Sequence, residues 1–146
     1  MKLLGDDALE RSDVVANCRM NRERNLTGSN GYAKEIGFNP VEFLKERANA
    51  TTTTRWLDLC CGSASALIEA AQATQSSDGV IKITGVDLVV DQSLNLPNCL
   101  HLIEASLAEW QPVERFDSIT CVHGLHYIGD KLGLITRAVS WLKNDG

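Results

Sequence analysis

The sequence lacks long apolar runs, surplus positive charge and the cysteine spacings typical of metal sites. Its first ten residues, MKLLGDDALE, carry one lysine and two consecutive leucines before two aspartates, so we predict no signal peptide. No apolar stretch is long enough to span a bilayer. The formal net charge of −5 argues against nucleic acid or an anionic membrane as a main partner. We therefore expect a protein of the cytoplasm.

The chain has an odd number of cysteines, which argues against a disulfide framework. The five are Cys18, Cys60, Cys61, Cys99 and Cys121. Paired zinc ligands usually stand roughly two to four residues apart, and a redox dithiol motif needs two residues between its cysteines. Adjacent Cys60 and Cys61 fit neither pattern. We predict no metal site and expect both thiols to line a tight turn.

A length of 146 residues favours one domain with a sizeable core. After residue 54 the hydrophobic pattern alternates between strands and helices. The predicted order is strand 55–61, helix 63–75, strand 80–88, strand 99–106, a helical turn 107–110, strand 116–125 and helix 130–143. Such alternation predicts an α/β fold with a doubly wound, mostly parallel sheet of about four strands.

The predicted helices begin and end at residues with clear capping roles. Ser12 is expected to cap a first helix, a short helix from Tyr32 to Ile36 should stop at Gly37, and Asn39 should cap a helix starting at Pro40. For the last helix we predict Gly146 as the cap. One face of that helix carries four apolar residues: Leu132, Ile135, Val139 and Leu142.

The first strand-to-helix turn, CCGSAS, should lie where ligands bind in such sheets, at the carboxyl ends of the strands. Gly62 lets the backbone approach a ligand, and Ser63 and Ala64 are small for the same reason, with Cys60 as a wall. Asp87 closes the second strand, where a carboxylate can accept both hydrogens of a ribose diol. Dinucleotides and other nucleoside cofactors both contain such a diol, so Asp87 alone does not distinguish between them.

A dinucleotide usually needs the three glycines of G-x-G-x-x-G, and only Gly62 is present here. The series LDLCCGSA, GVDL, LIEASLAEW, FDSITCVHGLHYIGD and RAVSWLKNDG instead resembles the class I S-adenosylmethionine-dependent methyltransferases. The resemblance covers roughly residues 36 to 146. It implies a Rossmann-like domain over 38–146, preceded by an N-terminal helical cap segment over 1–37.

The resemblance also implies roles for individual residues in binding S-adenosylmethionine. Asp58 matches the acidic residue of the first motif, as a loop organiser and partner for the cofactor's amino group, and Asp87 matches the ribose-binding acid. Where the family often has an aspartate after strand three, this chain offers Ser106 and Leu107. The predicted cofactor-binding residues are Asp58, Cys60, Gly62, Ser63, Ala64, Asp87, Leu88, Ser106, Leu107 and Val122. Ala64 replaces a glycine of the family's motif, and an alanine is tolerated there if its φ is negative.

The expected activity is methyl transfer to a small-molecule acceptor, in which orientation can dominate catalysis. His123, at the carboxyl end of strand four, is the candidate base, whereas His101 and His126 are expected to be structural. An N-terminal arginine could meet the methionine carboxylate or an acidic substrate, or belong to a solvated charge run. A non-catalytic cofactor-binding partner subunit and, more distantly, a nicotinamide-dependent oxidoreductase are the alternative hypotheses.

The family's sheet has seven strands, and this sequence accounts for four. We therefore expect a C-terminally truncated methyltransferase in which FDSITCVHGL forms a long, open, apolar edge strand. Such an edge favours self-association, and a homodimer that completes the sheet is the alternative.

Overall fold

The computed structural model describes residue 5 and residues 23–77 and 79–146. Four parallel strands form one sheet in the order β3-β2-β1-β4. The strands are β1 (Thr54–Leu59), β2 (Ile81–Asp87), β3 (Leu100–Glu104) and β4 (Ser118–Thr120). The helices are α1 (Tyr32–Ile36), α2 (Pro40–Arg47), α3 (Ser65–Thr74) and α4 (Lys131–Ser140), with a 3₁₀ helix over Leu125–Tyr127. The predicted α/β, doubly wound, mostly parallel fold is confirmed.

Strand β1 is the centre of the molecule, because it pairs with β2 on one side and β4 on the other. Its side chains alternate between two hydrophobic clusters, as the period of two in a strand requires. Trp56 faces a cluster that includes residues of α1, α2 and α3, whereas Leu57 and Leu59 face a second cluster containing Leu134 of α4. Helices therefore cover both faces of the sheet. In the part of the chain that the structure describes, no helix is long and apolar enough to cross a membrane.

The predicted caps of the first two described helices are confirmed. Gly37 ends α1 with φ 82°, in the left-handed region that glycine adopts without strain. The Asn39 side chain accepts a hydrogen bond from the Val41 backbone N–H at 3.0 Å, and Pro40 occupies the first position of α2. The helix predicted after Ser12, with Cys18, lies outside the described residues.

Strand β4 is much shorter than predicted, with three residues in place of ten. Before it, Phe116 pairs with Leu142, which follows α4. After it, His123 has φ 55°, which no extended strand accommodates, and the chain turns into the 3₁₀ helix. The expectation of a long open edge strand was therefore wrong.

Helix α4 differs from the prediction at its end and in its buried face. The cap is Trp141, whose backbone N–H donates to carbonyls of the last turn, whereas Gly146 closes a separate turn onto Lys143. The buried residue of α4 is Leu134, whereas Leu132, Ile135 and Val139 are 77%, 44% and 63% exposed. The apolar face seen in the sequence therefore points away from the core.

Candidate functional site

The carboxyl ends of the four parallel strands meet at one edge of the sheet. The strand order reverses between β1 and β4, the position where doubly wound sheets bind ligands. The predicted site residues all lie at or after these ends. They are Asp58 to Ala64 at β1, Asp87 and Leu88 at β2, Ser106 and Leu107 beyond β3, and Val122 and His123 beyond β4.

The turn after β1 has an unusual backbone, with φ near 60° at Cys60, Gly62 and Ala64. The N–H groups of Cys60 and Cys61 both donate to the Val86 carbonyl, at 2.8 and 3.2 Å. Ala64 therefore does not have the negative φ at which an alanine is tolerated without strain. Its N–H donates to the Cys61 carbonyl at 3.0 Å, and the residue directly precedes α3.

Asp87 ties this turn to the end of β2. Its Oδ2 accepts a hydrogen bond from the Gly62 N–H at 2.7 Å, and the residue is half-buried. The carboxylate therefore lies at the point where the turn and β2 meet, and its contact with a ribose stays a prediction.

Asp58 is fully buried, and both its oxygens accept hydrogen bonds from hydroxyl groups. Tyr32 donates at 2.7 Å and Thr120 at 2.5 Å, while the Trp56 indole N–H donates to the Thr120 oxygen at 2.8 Å. Burial raises the pKa of Asp58 from its ordinary value of 3.8 to about 7, although the two hydroxyl donors lower it in part. This network joins α1, β1 and β4 beneath the site.

The Cys60 and Cys121 thiols hydrogen-bond to each other, and this contact together with burial raises the pKa of Cys60. Gly124 closes over the pair, because a Cβ there would stand 2.8 Å from the Cys60 sulfur and 3.1 Å from that of Cys121. Cys61 is buried in the cluster around Trp56. Within the described ranges, no group of three or more histidine, cysteine or acidic residues is placed to hold a metal ion.

His123 lies at the carboxyl end of β4 with φ 55° and a side chain that is 39% exposed. Its Nε2 is 3.0 Å from Oε2 of Glu35 in α1, and Oε1 of Glu35 is 3.6 Å from Nη1 of Arg24. Hydrogen bonding from His123 lowers the pKa of Glu35, with Arg24 contributing further. Through Glu35, helix α1 therefore contacts the segment that follows β4.

Comparison with known proteins decides the family. Residues 22–146 match the sequence profile described as "Methyltransferase domain". The chain belongs to this methyltransferase family. The match confirms the family predicted from the motifs, and with it methyl transfer from S-adenosylmethionine as the family's chemistry.

Relatives of this methyltransferase domain include enzymes and solved structures about twice its length. A ubiquinone biosynthesis O-methyltransferase of Histophilus somni (strain 2336) is 29% identical over 133 residues, covering 80% of this chain and 53% of the relative. A coclaurine N-methyltransferase structure with N-methylheliamine and S-adenosylhomocysteine has TM-score 0.56 at 17% identity, covering 94% of this chain and 41% of that one. A Thiobacillus denitrificans methyltransferase with S-adenosyl-L-homocysteine has TM-score 0.53 at 21% identity, covering 100% and 54%. The chain thus spans about half the length of the relatives it matches.

The remaining predicted residues of this methyltransferase domain surround the turn with apolar and small side chains. Leu107 and Val122 are buried, and Leu88 is half-buried. The Ser106 hydroxyl accepts from the Ala108 N–H at 3.2 Å, and the Leu107 carbonyl accepts from Arg137 at 2.6 Å. These residues therefore fit a nucleoside. The Asp87 carboxylate can accept hydrogen bonds from its hydroxyls, and the apolar side chains can pack against its base.

A groove of about 590 Å³ lies elsewhere, on the flank of β2 and β3 under the connection to β4. Its lining includes Lys82 and Thr84 of β2, His101 of β3, and Trp110 of the connection between β3 and β4.

Sequence reasoning missed Glu35, Thr120 and the link from Tyr32 to Asp58. Tyr32 and Glu35 are three residues apart, on one side of a helix. The weak signal in the sequence is this pair of polar side chains just before the capped helix α2. His126, by contrast, stacks on Tyr127 with ring centroids 3.9 Å apart, and His101 lies within β3.

Proposed function

We propose that this domain binds S-adenosylmethionine at the carboxyl edge of the sheet and supports methyl transfer to a small-molecule acceptor. The observation that carries the proposal is the turn over residues 60–64, tied to Asp87 by the Gly62 N–H at 2.7 Å, in a chain of the methyltransferase family. The carboxylate can accept hydrogen bonds from the ribose hydroxyls of a nucleoside, and the backbone of the turn can contact the amino-acid part of the same ligand.

Each predicted residue then has a part in holding the cofactor. Asp87 accepts from the ribose hydroxyls, the turn from Cys60 to Ala64 receives the methionine end, and Leu88, Ser106, Leu107 and Val122 surround the adenine. Asp58 organises the turn from below and does not itself meet the cofactor's amino group, because it is fully buried and both its oxygens accept from hydroxyl groups. Bound there, the cofactor supplies an electrophilic methyl group on a sulfonium.

The acceptor is a small molecule whose reacting oxygen or nitrogen arrives protonated. This choice is supported by the named relatives, an O-methyltransferase and an N-methyltransferase. Such an acceptor needs a base, and His123 is the candidate, because it follows β4 on the other side of the strand-order reversal from the turn. Residues 1–37 act as a cap, and within its described residues α1 contacts Asp58 and His123.

Titration calorimetry with S-adenosylhomocysteine tests the binding site. We expect Asp87→Ala to weaken binding by about 1.5–3 kcal/mol, the range for losing a charged hydrogen-bond partner. Asp91→Ala, at an exposed carboxylate four residues further on, should leave the dissociation constant unchanged. Equal dissociation constants for wild type and Asp87→Ala would remove Asp87 from the site.

Two further assays separate the alternative functions. Titration with NAD identifies an oxidoreductase, and turnover against a panel of phenols, catechols and amines separates an enzyme from a cofactor-binding partner subunit. Binding of S-adenosylhomocysteine without any turnover would favour the partner subunit.

We propose a second copy of the chain as partner and the cytoplasm as location, with no nucleic acid bound. An apolar groove of about 220 Å³ beside β4, lined in part by Ile119, Ile135 and Val139, supports the self-association. The net charge of −5 supports the absence of nucleic acid. The odd number of cysteines, which argues against a disulfide framework, supports a reducing compartment.

A further inference from the structure

Helix α1 is attached to the site at two points, one on each side of the strand-order reversal. Tyr32 donates to Asp58 near the end of β1, and Glu35 contacts His123 beyond the end of β4. Residues three apart on a helix lie on the same side. One side of α1 therefore bridges β1 and β4, and Glu35 reaches the candidate base from the N-terminal segment.

The backbone at His123 is held in a conformation that histidine rarely adopts. Its φ is 55°, and the next residue, Gly124, packs so closely on Cys60 that an added Cβ would stand 2.3 Å from the Cys60 Cβ. Strained residues of this kind persist only where the surroundings fix them, and they cluster at functional sites. The backbone conformation thus fixes the direction of the His123 Cα–Cβ bond, and the contact with Glu35 fixes the orientation of its ring.

The contact with Glu35 uses one particular ring nitrogen of His123. The distance of 3.0 Å joins Glu35 Oε2 to Nε2, while the other Glu35 oxygen is directed to Arg24. Hydrogen bonding from His123 keeps the pKa of Glu35 low, so the carboxylate is ionised and only accepts hydrogen bonds. A neutral imidazole beside it must carry its proton on Nε2, which leaves the lone pair on Nδ1.

We propose that Glu35 is a positioning residue that fixes His123 in the tautomer with Nδ1 as its basic atom. This inference rests on the proposed function, in which His123 acts as the base. The acceptor's O–H or N–H proton passes to Nδ1 as the acceptor's electron pair forms the new bond to the methyl carbon. The methyl–sulfur bond breaks with its electron pair left on sulfur. Glu35 then faces an imidazolium, which later releases its proton to water.

The first arm of the test measures the tautomer and needs no turnover. Long-range ¹H–¹⁵N spectra of the 146-residue chain at about pH 8.5, where imidazole is neutral, distinguish a protonated from a lone-pair nitrogen. We expect His123 to show the proton on Nε2 in the wild type and a mixture of tautomers in Glu35→Ala. His101 and His126 are internal references, and His123→Gln assigns the signals. A tautomer mixture in the wild type, or an unchanged spectrum in Glu35→Ala, would overturn the inference.

The second arm measures kinetics with an acceptor found in the panel. We expect Glu35→Gln to lower kcat on the order of 100-fold with little change in KM, because general-base catalysis is weakened and binding is not. Glu46→Gln, which removes an exposed carboxylate from α2, should leave both constants unchanged. An unchanged kcat in Glu35→Gln would contradict the proposal.

The two arms keep this inference separate from the proposed function. Failure of S-adenosylhomocysteine to bind would end the proposed function, and with it the catalytic role of the pair. Cofactor binding and turnover combined with a free His123 tautomer would instead refute the role of Glu35 alone.

Discussion

Cys60 and Cys61 are adjacent residues of the same type, but their backbone conformations differ. Cys60 has φ 61°, whereas Cys61 is not among the residues with positive φ and is 5% exposed. Left-handed backbone costs a residue with a Cβ about 1–2 kcal/mol, which glycine avoids. We expect Cys60→Gly to leave the free energy of unfolding within about 1 kcal/mol of wild type, since relief of strain offsets lost packing. Cys61→Gly gains no such relief and should be about 2 kcal/mol less stable.

Urea unfolding of the two variants under reducing conditions makes this comparison. Equal destabilisation by the two substitutions would show that backbone strain at Cys60 is not the deciding difference.

A second prediction for a single residue concerns how Asp58 makes the free energy of unfolding depend on pH. Its pKa is raised to about 7 in the folded protein from an ordinary value of 3.8, so unfolding releases a proton between these values. The stability that Asp58 gives as a neutral acid is complete below about pH 4 and is lost as the pH rises through 7. We expect the free energy of unfolding of Asp58→Asn, relative to wild type, to rise by on the order of 4 kcal/mol between about pH 4 and pH 8. Urea titrations across this range measure it, and parallel pH curves for both proteins would contradict it.

At the scale of the elements, one buried carboxylate before β4 contacts β1, α2 and the segment after α4. Asp117, 6% exposed, accepts from the Arg55 backbone N–H of β1 and from Lys143 beyond α4, both at 2.7 Å, and lies 3.7 Å from Arg47 of α2. We expect Asp117→Asn to cost about 2–3 kcal/mol, because a charged acceptor of several bonds is removed. Glu114→Gln should cost under about 1 kcal/mol, since Glu114 pairs with Arg55 at an exposed surface. Denaturant unfolding compares the two, and similar losses would contradict the assigned role.

The elements with local signals could be predicted from sequence, and those fixed by distant contacts could not. Gly37, Asn39 and Pro40 set α1 and α2 through their own backbone preferences, so their positions were correct. The strand predicted over 116–125 ended at Thr120, because the turn at His123 is imposed by packing of Gly124 on Cys60. The hydrophobic periodicity of the sequence does not predict that contact.

The candidate site divides in the same way. The turn after β1 and Asp87 carry the family's motifs, so their positions could be expected at the strand ends. Glu35 pairs with a histidine 88 positions later, a relation that neither periodicity nor spacing reveals. The positive φ of Ala64 could not be predicted, because residue type alone favours a negative φ for alanine.

For the whole molecule, the prediction concerns self-association through the outer face of α4 and the neighbouring edge of β4. Val139 is 63% exposed beside the groove that borders Ile119, whereas Val113 is fully exposed in the connection before β4. We expect sedimentation of the wild type to show a dimer that Val139→Lys shifts toward monomer, because a charge in the buried contact is costly. Val113→Lys should leave the dimer intact. A wild-type monomer at all concentrations would rule out this partner.

The sheet order has a consequence for how the chain folds during synthesis. β1 pairs with β4 through residues 62 positions apart, as between Asp58 and Thr120. The central strand is therefore made early, yet one of its two edges stays without its neighbour until the residues up to Thr120 have left the ribosome. Pairings of such long range form slowly, and an apolar strand with an open edge can pair with other chains in the interval. The fastest stage of folding should be docking of α3 on β1 and β2, with closure by β4 as the slow and aggregation-sensitive step.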